Sequence, residues 1–480
     1  MADTFLNLLT IGVEEHGVHH VESWVTYLFT GILVLMILCL ALEEKIHAKK
    51  SVIVGAFAVV SLLVGAVLEI LPFGEITLAN GHKLSMPVYI PAIDWGVIAI
   101  ILGSSIFVDV TSKSGLFTWI AIKLTKMSRG DPMKLLIFYG VMTVVFSAVL
   151  NNVTAMIIVG SLTGVSLNKL GRSDKLLGFL LIEGLLTNIG GLLTLISSVP
   201  NIIVGKTAQI SFITFFIKAA PYVLIATAVT IWMGAKVFGI AKLKTDEEKA
   251  EGKLLVAGFD ENDGIESKGF FWFGAAVLVL FIVAIATASI PGWALNELGM
   301  GYVAMAFGTL MLIKFKATAD KIYKAVDWDL LGFFVFLFAT IYVMEHALVL
   351  DLIGKALTPV IEMGETTGSG LLLVCSAVAS SVTDNIPLAA MLAKIMAVNE
   401  IVVPPDMASN PDSPFWWSVI FGANLGGNLT PIGSASTLVA VTIMHKQNLH
   451  MSFAGFVKKA LPFAIIQIIL ATAYVVLFLR

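Results

Sequence analysis

Two short polar runs interrupt otherwise apolar stretches of this chain, Asn151-Asn152-Val153-Thr154 and Asp384-Asn385-Ile386-Pro387. Amide carbonyls, hydroxyls and backbone carbonyls freed at a helix break are the oxygen ligands a hard monovalent cation needs. They supply those ligands without stranding full charges among apolar side chains. Asp384 is the one carboxylate in either run. An ionisable group in such a setting is costly to keep, so it is read as functional, with helix capping as the competing role. These residue types imply a Na⁺ site made by Asp384, Asn385 and Asn152, with Asp384 alternately holding Na⁺ or a proton.

Two further runs carry the same ligand types beside paired glycines. One is Asn188-Ile189-Gly190-Gly191 followed by Thr194, Ser198 and Asn201; the other is Asn424-Leu425-Gly426-Gly427-Asn428 followed by Thr430, Ser434 and Ser436. Gly allows unusual backbone angles and close approach. An unwound stretch facing a polar tip would complete an oxygen cage, while the half-helix N-termini it creates offer positive dipole ends to an anion. Small-residue helix packing is the competing reading. Glu183 and Lys394 lie within apolar runs and join Asp384 as candidates for proton coupling.

Other chemistry finds little support. Glu14-Glu15-His16 with His19 and His20 has metal-binding spacing but reads as tail, and Cys39 and Cys375 have neither disulfide nor zinc spacing. Neither HExxH nor GxSxG occurs, so no enzyme is expected. A net charge of −3 offers no basic field for nucleic acid.

The elements that must position these residues are membrane helices. Hydrophobic residues make up 58% of the chain and charged ones 13%, with a mean hydropathy of +0.94. At about 20 apolar residues per span, 480 residues hold roughly ten spans. The chain is also duplicated. Ile93-Asp94-Trp95 recurs as Val326-Asp327-Trp328, with Asp94 and Asp327 233 residues apart; Asn152 and Asn385 are again 233 apart, and Asn188 and Asn424 are 236 apart.

The expected architecture is an all-α integral membrane fold of two inverted-topology repeats, each about five transmembrane helices plus a re-entrant hairpin and a broken helix. Residues 1–23 form an extracytoplasmic tail. Repeat 1 covers 24–238, with its hairpin at 135–167 and broken helix at 176–205. Residues 239–269 form a solvated cytoplasmic linker. Repeat 2 covers 270–480, with its hairpin at 368–402 and broken helix at 415–445. Threaded with the N-terminus outside, the cytoplasmic loops hold 24 of the 30 Lys and Arg, as the positive-inside rule requires. The inner (plasma) membrane is the expected location. Two opposed hairpins would then meet near the midplane.

At these residues the sequence resembles the ion transporter superfamily that includes NhaD-type sodium/proton antiporters, ArsB-like arsenite permeases, the melanosomal P protein and the dicarboxylate/sodium symporters. Asp384-Asn385-Ile386-Pro387 and the two Asn-x-Gly-Gly runs carry the likeness, which extends over residues 93–450. It implies a homodimer in which hairpins and broken helices move as an elevator-like core, with Na⁺ or H⁺ as coupling ions, no resident cofactor, and membrane lipid and a small ion as partners. Asn151 stands where many ArsB and NhaD relatives have Asp. Val153 and Ile386 stand where dicarboxylate carriers have Thr, which argues against a dicarboxylate. Na⁺/H⁺ antiport by alternating access is the leading expectation, and a Na⁺- or H⁺-coupled permease for an anion or oxyanion such as arsenite or a carboxylate is the alternative.

Overall fold

The computed structural model describes residues 21–72, 75–77, 83–87, 89–290, 292–398 and 410–479. The Glu14–His20 cluster and the end of the second expected hairpin, 399–402, lie outside them. Nine helices among the described residues are long and apolar enough to cross a membrane. Their outward faces carry large apolar side chains such as Leu63, Leu224, Trp272 and Ile313. In water such faces would be a liability, whereas against lipid chains they cost nothing.

Two compact units divide the chain, Met1–Ile98 with Asp327–Ala356, and Ala99–Val326 with Leu357–Arg480. In the first, α1 (Ser23–Ala41) and α2 (Lys50–Val67) pack together, and α13 (Trp328–His346) lies along α2. A two-stranded antiparallel ribbon, β1 (Glu75–Thr77) with β2 (Lys83–Ser85), follows α2 and was not expected from the hydropathy pattern.

The second unit holds every candidate residue. Its first repeat runs from α3 (Trp95–Ser112, whose first turn belongs to the first unit) through α4 (Leu116–Ser128), α5 (Pro132–Val149), α6 (Asn152–Lys169), α7 (Leu176–Gly190) and α8 (Val199–Thr207) to α9 (Phe212–Val237). The linker helix α10 (Asp246–Ala257) and helices α11 (Lys268–Thr287) and α12 (Ala294–Lys314) lead to the second copy. That copy comprises α14 (Val349–Ile361, of which Val349–Ala356 belongs to the first unit), α15 (Gly364–Val382), α16 (Asn385–Val398), α17 (Pro414–Gly426), α18 (Ala435–Lys446) and α19 (Phe453–Phe478).

The breaks have local causes. Leu150 is extended, which ends α5, and Asn151 caps α6 by accepting from Thr154 N–H at 2.7 Å. After the glycines, Ser198 and Ser434 are extended and restart helices as α8 and α18, the first with Pro200 in its opening turn. The two 26-residue helices α9 and α19 match even in their interior prolines, Pro221 and Pro462.

Three readings change. The linker 239–269 is not only a solvated connector: Thr245 and Glu248 form a capping box that starts α10, which packs against α4. The stretches between spans at 111–134 and 347–367 contain α4 and α14, 13 residues each. These two are themselves copies, since 116 to 349 and 128 to 361 are both 233 apart. They are too short and too polar on one face to register as spans.

Candidate functional site

The repeats are joined crosswise. Hairpin one (α5–α6) packs on its own broken helix through α7 and on the other repeat through α18; hairpin two (α15–α16) packs on α17 and on α8. Paired hydrogen bonds fix each hairpin to its own broken helix. Ser147 Oγ donates to the Thr187 carbonyl at 2.6 Å and Ser380 Oγ to the Ala423 carbonyl at 2.6 Å. Thr194 Oγ1 donates to the Ala148 carbonyl and Thr430 Oγ1 to the Ser381 carbonyl, each at 2.5 Å. The approach depends on glycine: a Cβ at Gly190 would lie 2.7 Å from Val144 Cα, and one at Gly426 would lie 2.3 Å from the Ala377 oxygen.

Between the broken helices the asparagines bind one another. Asn188 Oδ1 accepts from Ser434 Oγ at 2.9 Å and Ser436 Oγ at 3.1 Å, while its Nδ2 donates to Asn428 Oδ1 at 2.8 Å. Asn424 Oδ1 accepts from Ser198 Oγ at 2.7 Å, and its Nδ2 donates to Asn201 Oδ1 at 2.8 Å. Asn201 in turn donates to the carbonyls of Gly191 and Thr194. Asn188, Asn201, Asn424 and Asn428 are fully buried. Buried amides must have partners, and these have them from each other. The residues expected as open ion ligands at the breaks therefore form a neutral, internally satisfied strut.

The strut reaches one tip. Asn152 Nδ2 donates to Asn188 Oδ1 at 3.4 Å and Asn152 Oδ1 accepts from Ser147 at 2.7 Å. From Asn428 the chain continues through Nδ2 to Gln467 Oε1 on α19 at 2.8 Å, and Gln467 Nε2 donates to Thr230 on α9 at 2.9 Å. Gln467 and Thr230 escaped the sequence reading. The signal was available, because Gln467 is the one amide in the long apolar run of α19.

The tips differ. Asn385, counterpart of Asn152, is 6% exposed and its amide forms no hydrogen bond among the described residues, with Asn152 or with any other. Asp384 beside it is half-buried, and its Oδ1 accepts from Ile386 N–H at 3.1 Å, so it does cap α16. The three residues proposed for one Na⁺ cage are thus not joined by hydrogen bonds: Asn152 turns to Asn188, and Asp384 and Asn385 stay at the second tip. Asn151 is exposed at the first. Lys394 is half-buried, ten residues along α16 from Asp384. Glu183 is fully buried in α7, with Oε1 accepting from Thr163 Oγ1 of α6 at 2.6 Å.

Comparison with known proteins agrees with this architecture. The sequence model of the CitMHS family, described as "Citrate transporter", matches residues 33–408. "Uncharacterized transporter Rv2684" of Mycobacterium tuberculosis is 29% identical over 382 residues, 80% of this chain and 86% of that protein. The P protein of Homo sapiens is 24% identical over 515 residues, covering 90% of this chain and 60% of that protein. The solved YdaH transporter of Alcanivorax borkumensis superposes with a TM-score of 0.59 at 12% identity, over 90% of this chain and 98% of that one. Neisseria gonorrhoeae MtrF gives a TM-score of 0.53 at 14% identity, over 90% and 95%. At these identities the likeness to the two solved structures is one of fold. The family match, covering most of the residues, goes further: the chain is a multi-pass membrane transporter and belongs to the citrate transporter (CitMHS) family.

Proposed function

We propose that the protein is a secondary active transporter that carries an organic carboxylate together with Na⁺ or H⁺, binding the cation at the second hairpin tip. The observation that carries this reading is the Asn385 amide, on a residue 6% exposed at the start of α16, without a hydrogen bond among the described residues and adjacent to the Asp384 carboxylate. The amide atoms are not sealed from solvent, so a ligand can reach them and take the place of water. The amide's carbonyl oxygen suits a cation beside Asp384, and its NH₂ group suits a carboxylate oxygen. The family's description supports a carboxylate as the solute.

Alternating access follows from the architecture by analogy, with the hairpins and broken helices moving as one core in a homodimer at the plasma membrane. Na⁺/H⁺ exchange is the second reading, favoured by Asp384 as the tip carboxylate on which a proton and Na⁺ would compete. Reconstituted liposomes separate the two. Accumulation of labelled citrate, or of a smaller di- or monocarboxylate, on an imposed Na⁺ or H⁺ gradient supports the first. If no carboxylate accumulates while a Na⁺ gradient drives proton flux reported by a trapped dye, the second replaces it.

A further inference from the structure

Glu183 is a second buried group that the tip site leaves unused. It is wholly inaccessible, and while Oε1 accepts from Thr163, Oε2 is buried with no hydrogen-bond partner. The surroundings are apolar, with Leu180, Ala440 and Ile443 against the neighbouring Gly160 and Gly184. No ion pair forms with it among the described residues. Tyr139 of α5 lies within electrostatic reach, but its hydroxyl is bound to Thr125 at 2.7 Å and Ser166 at 2.8 Å. Elsewhere on the elements packed against α7, Tyr222 of α9 and Tyr474 of α19 donate their hydroxyls to the carbonyls of Gln467 and Lys218. The charged groups and His445 lie toward element ends: Lys134 on α5, Lys169 on α6, Asp174 and Lys175 just before α7, Lys218 and Lys236 on α9, His445 and Lys446 on α18, and Lys458 and Lys459 on α19.

An ionised carboxylate so enclosed, with one donor and no counter-charge, would carry a desolvation penalty of several kcal/mol. A proton on Oε2 removes that charge without requiring any other atom to move. The carboxyl is also removed from the tips: five residues, or about 8 Å of helix, separate Glu183 from Asn188 along α7. We infer that the Glu183 carboxyl is a proton-binding site distinct from the hairpin tips, whose occupancy is linked to the seating of hairpin one on α7. Release of the proton to water leaves a charge that the seated arrangement does not solvate, so deprotonation favours the state in which α6 lifts and water reaches the carboxylate. By linkage, protonation favours the seated state. The inference deepens the proposed coupling by giving the proton a place of its own, so that cation and proton need not compete for Asp384.

The test compares the wild-type protein, reconstituted in liposomes, with Glu183→Gln. Infrared difference spectra of the wild type should contain the carbonyl stretch of a protonated carboxyl, and Glu183→Gln should lack it. Hydrogen–deuterium exchange in α6, corrected for intrinsic rates, should rise with pH in the wild type and stay flat in the variant. The response of labelled-citrate uptake to an imposed proton gradient should fall by about tenfold, within the usual range of a coupling free energy. If Glu183→Gln does not fold, Thr163→Val keeps the acid and removes its donor, and should shift the carbonyl band. An unchanged band in both variants overturns the assignment; so does a lost band with unaltered pH response in exchange and uptake. The infrared and exchange measurements need no substrate. If wild-type liposomes accumulate no carboxylate while these two behave as stated, the proposed solute is wrong and the proton site stands.

Discussion

Ser198, just before the second half of one broken helix, donates its hydroxyl to Asn424 Oδ1 near the end of the first half of the other, at 2.7 Å. The relation is returned: Ser434 donates to Asn188 Oδ1 at 2.9 Å, and both Ser198 to Ser434 and Asn188 to Asn424 span 236 residues. The two halves of the protein therefore exchange one identical interaction, the behaviour expected of a pseudo-two-fold axis through the unwound segments. Removing the Ser198 hydroxyl takes away the donor of Asn424 Oδ1, whereas Asn188 Oδ1 keeps Ser436 and Asn152 when Ser434 is lost. Ser198→Ala should therefore lower stability by about 1–3 kcal/mol and Ser434→Ala by less, measured by denaturation of the purified protein in detergent.

Glycine at the end of α17 is a steric requirement. Gly426→Ala places a methyl group 2.3 Å from the Ala377 oxygen and 2.6 Å from Ser380 Cβ, where backbone must move. The expected cost is about 1–3 kcal/mol or more, with the Ser380–Ala423 contact disturbed. Gly31→Ala is the control, because a Cβ there meets nothing within 4 Å. In a helix interior that change should be neutral or stabilise by up to about 1 kcal/mol. Melting temperatures that move equally in the two variants would contradict the close-packing account.

At the second tip, Asp384→Asn should abolish the dependence of transport on the coupling cation, and Asn385→Ala should raise the Na⁺ concentration needed for half-maximal uptake by about tenfold or more, as loss of an interaction worth about 1.4 kcal/mol requires. Asn152→Ala should instead act through stability, since that amide is already bound to Ser147 and Asn188. Na⁺ titrations of uptake beside melting curves would expose the difference. Equal effects of the two asparagine substitutions on Na⁺ dependence would remove the asymmetry between the tips.

The linker offers a pH test outside the membrane. Backbone N–H groups of Thr245 and Lys244 hold the Glu248 carboxyl below its usual range, and hydrogen bonding to Lys126 does the same for Glu261. A carboxyl depressed in the folded state contributes stability above its unfolded value, and that contribution is lost as pH falls through the folded one. Acidification through the carboxylate range should therefore loosen α10. A spin label at Leu254→Cys, 76% exposed in the wild type, in a chain lacking Cys39 and Cys375, should gain mobility at acid pH. Thr245→Ala, which breaks the capping box, should move that transition to higher pH.

Much of this could be read from residue order. Hydropathy and the offsets from Asn152 to Asn385 and Asn188 to Asn424 pointed to the places where helices end, at Val149, Gly190, Val382 and Gly426, because membrane depth tolerates polar and Gly-rich backbone only where neighbours satisfy it. The helices α4 and α14 were missed because 13 residues with one polar face fall below any spanning threshold. The direction of the asparagine side chains was beyond sequence reading for a different reason. Whether an amide faces a ligand or another amide depends on partners more than 200 residues away, such as Asn424 for Asn201 and Asn428 for Asn188.

The crosswise seating of α6 on α18 and of α16 on α8 has a consequence for biogenesis. When the ribosome has delivered the first repeat to the bilayer, Asn188 still lacks Asn428, Ser434 and Ser436, and α6 lacks its second bed. The nascent half must wait, incompletely satisfied and open to chaperones or proteases, until about 200 more residues have been translated. Separately expressed halves would then need each other to survive.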